Sequence, residues 1–118
     1  MTVESLLFSA LGSLVANRVF PDVAPLNTAK PYLTYQQVGG TAVSFLESGI
    51  VGKRNGRFQI NAWATTRLDA AALSRAVEDA LVTSTPLRAY VLGAPVAIYE
   101  PETLLYGTRQ DFSIWFAS

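Results

Sequence analysis

The residues able to do acid–base or metal chemistry are few in this chain. Glu100 and Glu102 stand two apart around Pro101. An extended backbone would turn both carboxylates to one side, where they could hold a hard cation. The more ordinary role of such a pair is that of solvated loop residues. Glu78 and Asp79 are adjacent on a helical stretch and therefore diverge. Gly52-Lys53 resembles the close of a phosphate-binding loop, but Glu47 stands where the first glycine belongs and Arg54 replaces the Ser or Thr. Lys53, Arg54 and Arg57 form a small basic cluster suited to an acidic partner surface. Direct nucleic-acid binding would call for interleaved aromatics and a second basic element, and both are missing.

The chain contains neither His nor Cys. Without imidazole, the commonest neutral-pH general base and the commonest transition-metal ligand are gone, and a Ser-His-Asp triad cannot be assembled. Without thiols there is no disulfide framework, thiolate zinc site or cysteine nucleophile. The residues therefore point to no catalytic group, no cofactor site and no metal site. Nine Lys and Arg balance nine Asp and Glu, which argues against a protein whose work is to coat DNA, RNA or an anionic membrane. No apolar run approaches the roughly 18 residues of a membrane span. Met1-Thr2-Val3-Glu4 lacks the positive start of a signal peptide.

These residues need elements to position them. Of 118 residues, half are hydrophobic and 15% are charged, enough apolar material for one folded domain over 1–118. Val3, Leu6, Leu7, Ala10, Leu11, Leu14 and Val15 recur at helical spacing, with Thr2 as N-cap, Glu4 in the first turn and Arg18 near the far end. Pro21 and Pro25 close that segment in an extended run. Tyr32 to Val38 has strand composition, and Ala42 to Leu46 reads as a further short strand. A flexible glycine-rich loop is expected around 47–56, with Asn55-Gly56 as a hairpin turn signal. Arg57 to Thr65 alternates, as does Arg109 to Phe116, and Thr66 with Asp69 predicts the start of a second helix. Val96 to Tyr99 reads as a short strand that Pro101 confines to an edge or a bend. The expected fold is α+β, with two helices on one face of a mostly antiparallel sheet of about four to five strands, order α-β-β-β-α-β-β.

Strand parity puts Trp63 and Trp115 opposite the Phe and Ile positions, Trp63 beside Asn61 and Gln59, Trp115 beside Asp111 and Ser113. A sheet face that mixes large aromatics with amides and a carboxylate suits a partner surface. The competing reading is that the chain's own loops or first helix cover it.

An ordered set of pieces carries a resemblance. It runs Leu14-Val15-Ala16-Asn17-Arg18-Val19-Phe20-Pro21-Asp22, Ala24-Pro25, Pro31-Tyr32-Leu33-Thr34-Tyr35-Gln36 and Gly39-Gly40. It continues with Arg57-Phe58-Gln59-Ile60-Asn61-Ala62-Trp63-Ala64, an Ala-rich helix and Asp111-Phe112-Ser113-Ile114-Trp115. Over nearly the whole chain this set resembles the small tail completion proteins of long-tailed bacteriophages and prophages, the tail-to-head joining group. The resemblance implies a structural virion protein without enzymatic activity or cofactor, made in the bacterial host cytoplasm. It implies a hexameric ring that caps the head-proximal end of the tail and meets other tail and head-connector proteins, with no membrane partner; a subunit that is monomeric alone and forms the ring only on the tail end is the accompanying expectation.

The family has no catalytic residues to carry over. The expected interface therefore rests on Trp63, Trp115, Asn61 and Asp111 of the sheet and Lys53, Arg54 and Arg57 of the loop. A stand-alone module that binds a small ligand or peptide is the alternative, with a concave pocket lined by Trp63, Trp115 and Tyr35. A metal-dependent enzyme would instead bring Glu100 and Glu102 together with Asp111 or Asp22.

Overall fold

The structure is a computed structural model that describes residues 2–41, 53–87 and 89–117. Helix α1 (Val3–Leu11) starts where expected: the Thr2 side chain accepts the Ser5 N–H at 3.1 Å, and Glu4 occupies the first turn. Val3, Leu7 and Leu11, four residues apart, are its buried face. The helix is shorter than its apolar spacing predicts. It tightens into a 3-10 turn at Gly12–Leu14, after which Ala16 and Asn17 adopt positive φ and the Asn17 N–H returns to the Gly12 carbonyl at 2.7 Å. Arg18 therefore does not cap α1. Its Nε donates to the Pro31 carbonyl at 2.9 Å and ties the chain to the start of the next strand pair.

Strands β1 (Val19–Pro21) and β2 (Tyr32–Gln37) pair in parallel, and β3 (Lys53–Ala64) follows antiparallel to β2. Helix α2 (Arg67–Thr83) begins at Thr66, whose Oγ1 accepts the Asp69 N–H at 3.1 Å. It buries Ala70, Leu73, Ser74, Val77 and Leu81. Three strands close the fold: β4 (Tyr90–Val91), β5 (Val96–Glu100) and β6 (Leu105–Ala117). The sheet runs β1-β2-β3-β6, with β4 and β5 both along the far edge of β6. The α+β class agrees with the sequence, and so do the two α-helices found among the described residues. Among the described residues the sheet has six strands rather than four or five, because β1 and β4 are only three and two residues long and carry too little alternation to be read. The strand expected at Ala42 to Leu46 lies outside the described residues.

Residues opposite each other in an antiparallel pair share a face. Phe58, Ile60 and Ala62 of β3 thus sit with Phe112, Gln110 and Thr108 of β6 on the helix side. There they join Leu7, Leu11, Leu73, Val77 and Leu81 in one core. Buried Gln110 is satisfied: its Nε2 donates to Glu78 Oε1 at 2.8 Å and to the Gly93 carbonyl at 2.9 Å, which stitches α2 to the sheet.

Asn55-Gly56 is not a hairpin turn. Both residues lie within β3, opposite Trp115 and Ile114, so the part of the expected loop from Lys53 to Gly56 is strand, and 42–52 lies outside the described residues. The glycine has a packing reason. A Cβ there would stand 2.5 Å from Phe58 Cε2 and 3.1 Å from Phe116 Cε1, two rings that meet edge-on with centroids 6.2 Å apart. The molecule is elongated, 49 Å by 24 Å by 24 Å.

Candidate assembly interface

The other face of the sheet carries the residues singled out above. Along β3 it presents Asn55, Arg57, Gln59, Asn61 and Trp63. Along β6, opposite them in register, it presents Trp115, Ser113, Asp111, Arg109 and Gly107. The expected parity holds for both tryptophans. The two are not neighbours, however. Trp115 opposes Asn55 and Trp63 opposes Gly107, eight positions apart along β3, or about 26 Å at the usual strand rise.

The half around Trp115 is a polar ladder. Arg57 Nε and Asp111 Oδ2 are 2.8 Å apart and bridge the two central strands diagonally, with the arginine side chain 51% exposed and the carboxylate 19% exposed. Asn55 Nδ2 donates to Ser113 Oγ at 2.8 Å, and Asn55 Oδ1 accepts the Thr41 N–H at 2.9 Å. The half around Trp63 is partly roofed by the chain itself. Residues 22–28 fold over it with Thr103 and Leu105, enclosing a cleft of about 220 Å³ whose floor is Tyr32, Thr34, Asn61 and Trp63. Trp63 Nε1 donates to Thr34 Oγ1 at 3.3 Å. Trp63 packs on Gly107, where an added Cβ would stand 2.7 Å from its ring. Asn61 Oδ1 is buried without a hydrogen-bond partner. Desolvation, then the nearby Glu100 charge, raises the Tyr32 phenol above its ordinary pKa.

The family described as Tail completion protein gp17 matches residues 6–117. The chain belongs to that family. That family is one of structural phage tail proteins and is not an enzyme family. Its fold is similar to a chain in a structure titled "Virion of native gene transfer agent (GTA) particle", with a TM-score of 0.65 and 17% identity over 98% of this chain and 95% of that one. No curated protein sequence matches it.

The tail completion protein brings some of the expected interface residues together and separates others. Arg57 and Asp111, read from different segments, are direct partners. Asn61 and Trp63 share the cleft. Arg54, opposite Phe116, lies on the helix side of the sheet and not with Arg57. Lys53 opens β3 opposite Ala117, and its side chain lies outside the described residues. The basic cluster is thus split by strand alternation, which a loop reading of 47–56 could not anticipate. The aromatic pocket of the alternative reading is not assembled: Tyr35 opposes Ile60 on the helix side, and Trp115 is at the far end of the sheet. Among the described residues no three acidic side chains gather closely enough to share an ion. The roof over Trp63, with Asp22, Glu100 and Leu105 at its margins, was not legible, since nothing local in 22–28 says which surface it will cover.

Proposed function

We propose that this tail completion protein caps the tail tube at its head-proximal end and joins it to the head connector, docking as a ring of six copies that is monomeric before assembly. The observation that carries the reading is family membership over 6–117, nearly the full chain. The similarity in fold to a chain of a gene transfer agent virion is consistent with a place in such a particle. The outer sheet face supplies a suitable contact surface through Trp115 and the Arg57–Asp111 pair, with Asn61 and Trp63 in the cleft at its other end. A closed ring needs two different patches on each subunit; the outer sheet face and the helix layer on the opposite side are two such surfaces.

The test is deletion of the gene from the parent phage or prophage. Full heads and complete-length tails should accumulate unjoined, and supplying the protein in trans should restore joined particles. Normal infectious particles without the gene would overturn the reading. Sedimentation of the purified protein, alone and with isolated tails, distinguishes a monomer that assembles on the tail from a ring that forms unaided.

A further inference from the structure

Where β3 finishes and β6 begins, one end of the molecule holds apolar side chains in water. Among the described residues the four most exposed large apolar side chains are Leu26 at 93%, Leu68 at 83%, Val23 at 78% and Leu104 at 68%. All four belong to this end. Val23 and Leu26 sit in the roof of the cleft, which Thr103 and Leu105 also line, and Leu104 stands between those two at the tip joining β5 to β6. Leu68 follows Arg67, whose guanidinium donates to the Gly107 and Ile98 carbonyls at 2.7 Å each. Exposed apolar residues scattered singly are ordinary; four grouped at one end mark a contact surface.

The backbone of the same loops is a second observation. Leu104 is held at φ 58°, and Asp22 and Asn27 at 62° and 64°. Asp and Asn tolerate the left-handed region, whereas a branched apolar side chain is strained there. Strain of this kind concentrates at functional positions. Charge is the third. Asp22 and Glu100 line the cleft, Asp69 lines a neighbouring hollow with Lys30, and Glu102 lies in the hairpin tip. Against these four carboxylates stand Arg18, Lys30 and Arg67, and Arg18 and Arg67 are already engaged with backbone carbonyls.

We propose that this end docks a different protein of the particle, one whose surface offers apolar pockets rimmed by Lys or Arg. The proposal rests on the tail completion reading above. Leu26 and Leu104 enter the pockets as knobs, and the carboxylates meet the bases around them. The same carboxylates repel nucleic-acid phosphates. A second copy meeting this end with its own would set the same carboxylates against each other, which makes it the poorer occupant.

The experiment uses heads and tails from a lysate of the deletion mutant, mixed with purified full-length protein, with joined particles counted by electron microscopy. Leu26→Asp and Leu104→Gly should each yield at least about ten-fold fewer joined particles. Their melting temperatures should hold or rise, since neither removes a buried contact and glycine relieves the positive φ at 104. Val82→Asp, a half-exposed position near the C-terminal end of α2, should join like the unaltered protein. Joining by Leu26→Asp and Leu104→Gly at the unaltered level would overturn the proposal and leave the tail completion role standing. So would unaltered protein that forms rings unaided in sedimentation together with a Leu26→Asp or Leu104→Gly variant that does not, which would assign this end to a second copy. Heads and tails that the unaltered protein fails to join would instead remove the role itself, and this proposal with it.

Discussion

The Arg67 guanidinium lies 5.2 Å above the centroid of the Tyr106 ring. It reaches across the first turn of α2 to the strand that follows the β5–β6 tip, and the Tyr106 ring itself packs at a tilt of 54° against Tyr99, centroids 4.9 Å apart. Planarity, two carbonyl bonds and the aromatic face together suit Arg and not Lys. Arg67→Ala is expected to lower stability by about 2 kcal/mol, from lost charge-assisted bonds to two carbonyls and a partly exposed cation–π contact. Arg67→Lys should recover less than half of that. Thermal melts of the two variants check this, and a lysine that restores full stability would show that only the charge matters.

Gly56 is the place where the core leaves no room for a side chain. Gly56→Ala should cost about 1–3 kcal/mol, because Phe58 and Phe116 must move off their edge-on contact. The comparison is Gly93→Ala, where an added Cβ meets nothing within 4 Å. Denaturant midpoints for the pair should differ clearly. Equal midpoints would mean that the two rings yield at no cost.

The Arg57–Asp111 pair spans the two central strands but has a half-exposed arginine. A double-mutant cycle with Arg57→Ala and Asp111→Ala should give a coupling of about 0.5 kcal/mol, screened further by added salt. The pair matters more as a fixed feature of the outer face. If that face is an assembly surface, the two single variants should reduce joining of heads and tails by more than their small loss of stability explains.

Two phenols report on burial. Desolvation raises Tyr32 and Tyr35 above the ordinary value near 10, with Glu100 adding to the first and Glu4 and Asp22 to the second. The native state therefore holds these protons more tightly than the unfolded chain does. The stability they contribute is whole below about pH 10 and is lost as pH rises through the raised native values. Phenolate absorbance should show two tyrosines titrating later than free tyrosine, one of which disappears in Tyr32→Phe. Stability should stay level up to about pH 10 and fall beyond it.

Much of the candidate site was legible as residues and little of it as geometry. Alternation in β3 and β6 correctly put Trp63, Asn61, Trp115 and Asp111 on one face, because parity is a property of each strand alone. It could not say that Trp63 and Trp115 end up about 26 Å apart, since that depends on the register between two segments about fifty residues apart in the chain. The basic cluster failed for a related reason. Lys53, Arg54 and Arg57 look like one loop tip in sequence, but once 53–56 joins β3 the alternation sends Arg54 and Arg57 to opposite faces.

From residue identities and local spacing come both helix starts at Thr2 and Thr66, the α+β class, the want of imidazole and thiol, and the ordered pieces that resemble tail completion proteins. Each depends on side chains within a turn or two of one another, or on composition alone. Tertiary structure decided the rest: that α1 stops at Leu11, that Asn55-Gly56 continues a strand, that 22–28 roofs the cleft over Trp63, and that Leu26, Leu68 and Leu104 gather at one end. Those outcomes depend on which distant surfaces become free to pair or pack once the core has closed. A chain read residue by residue holds no record of that competition.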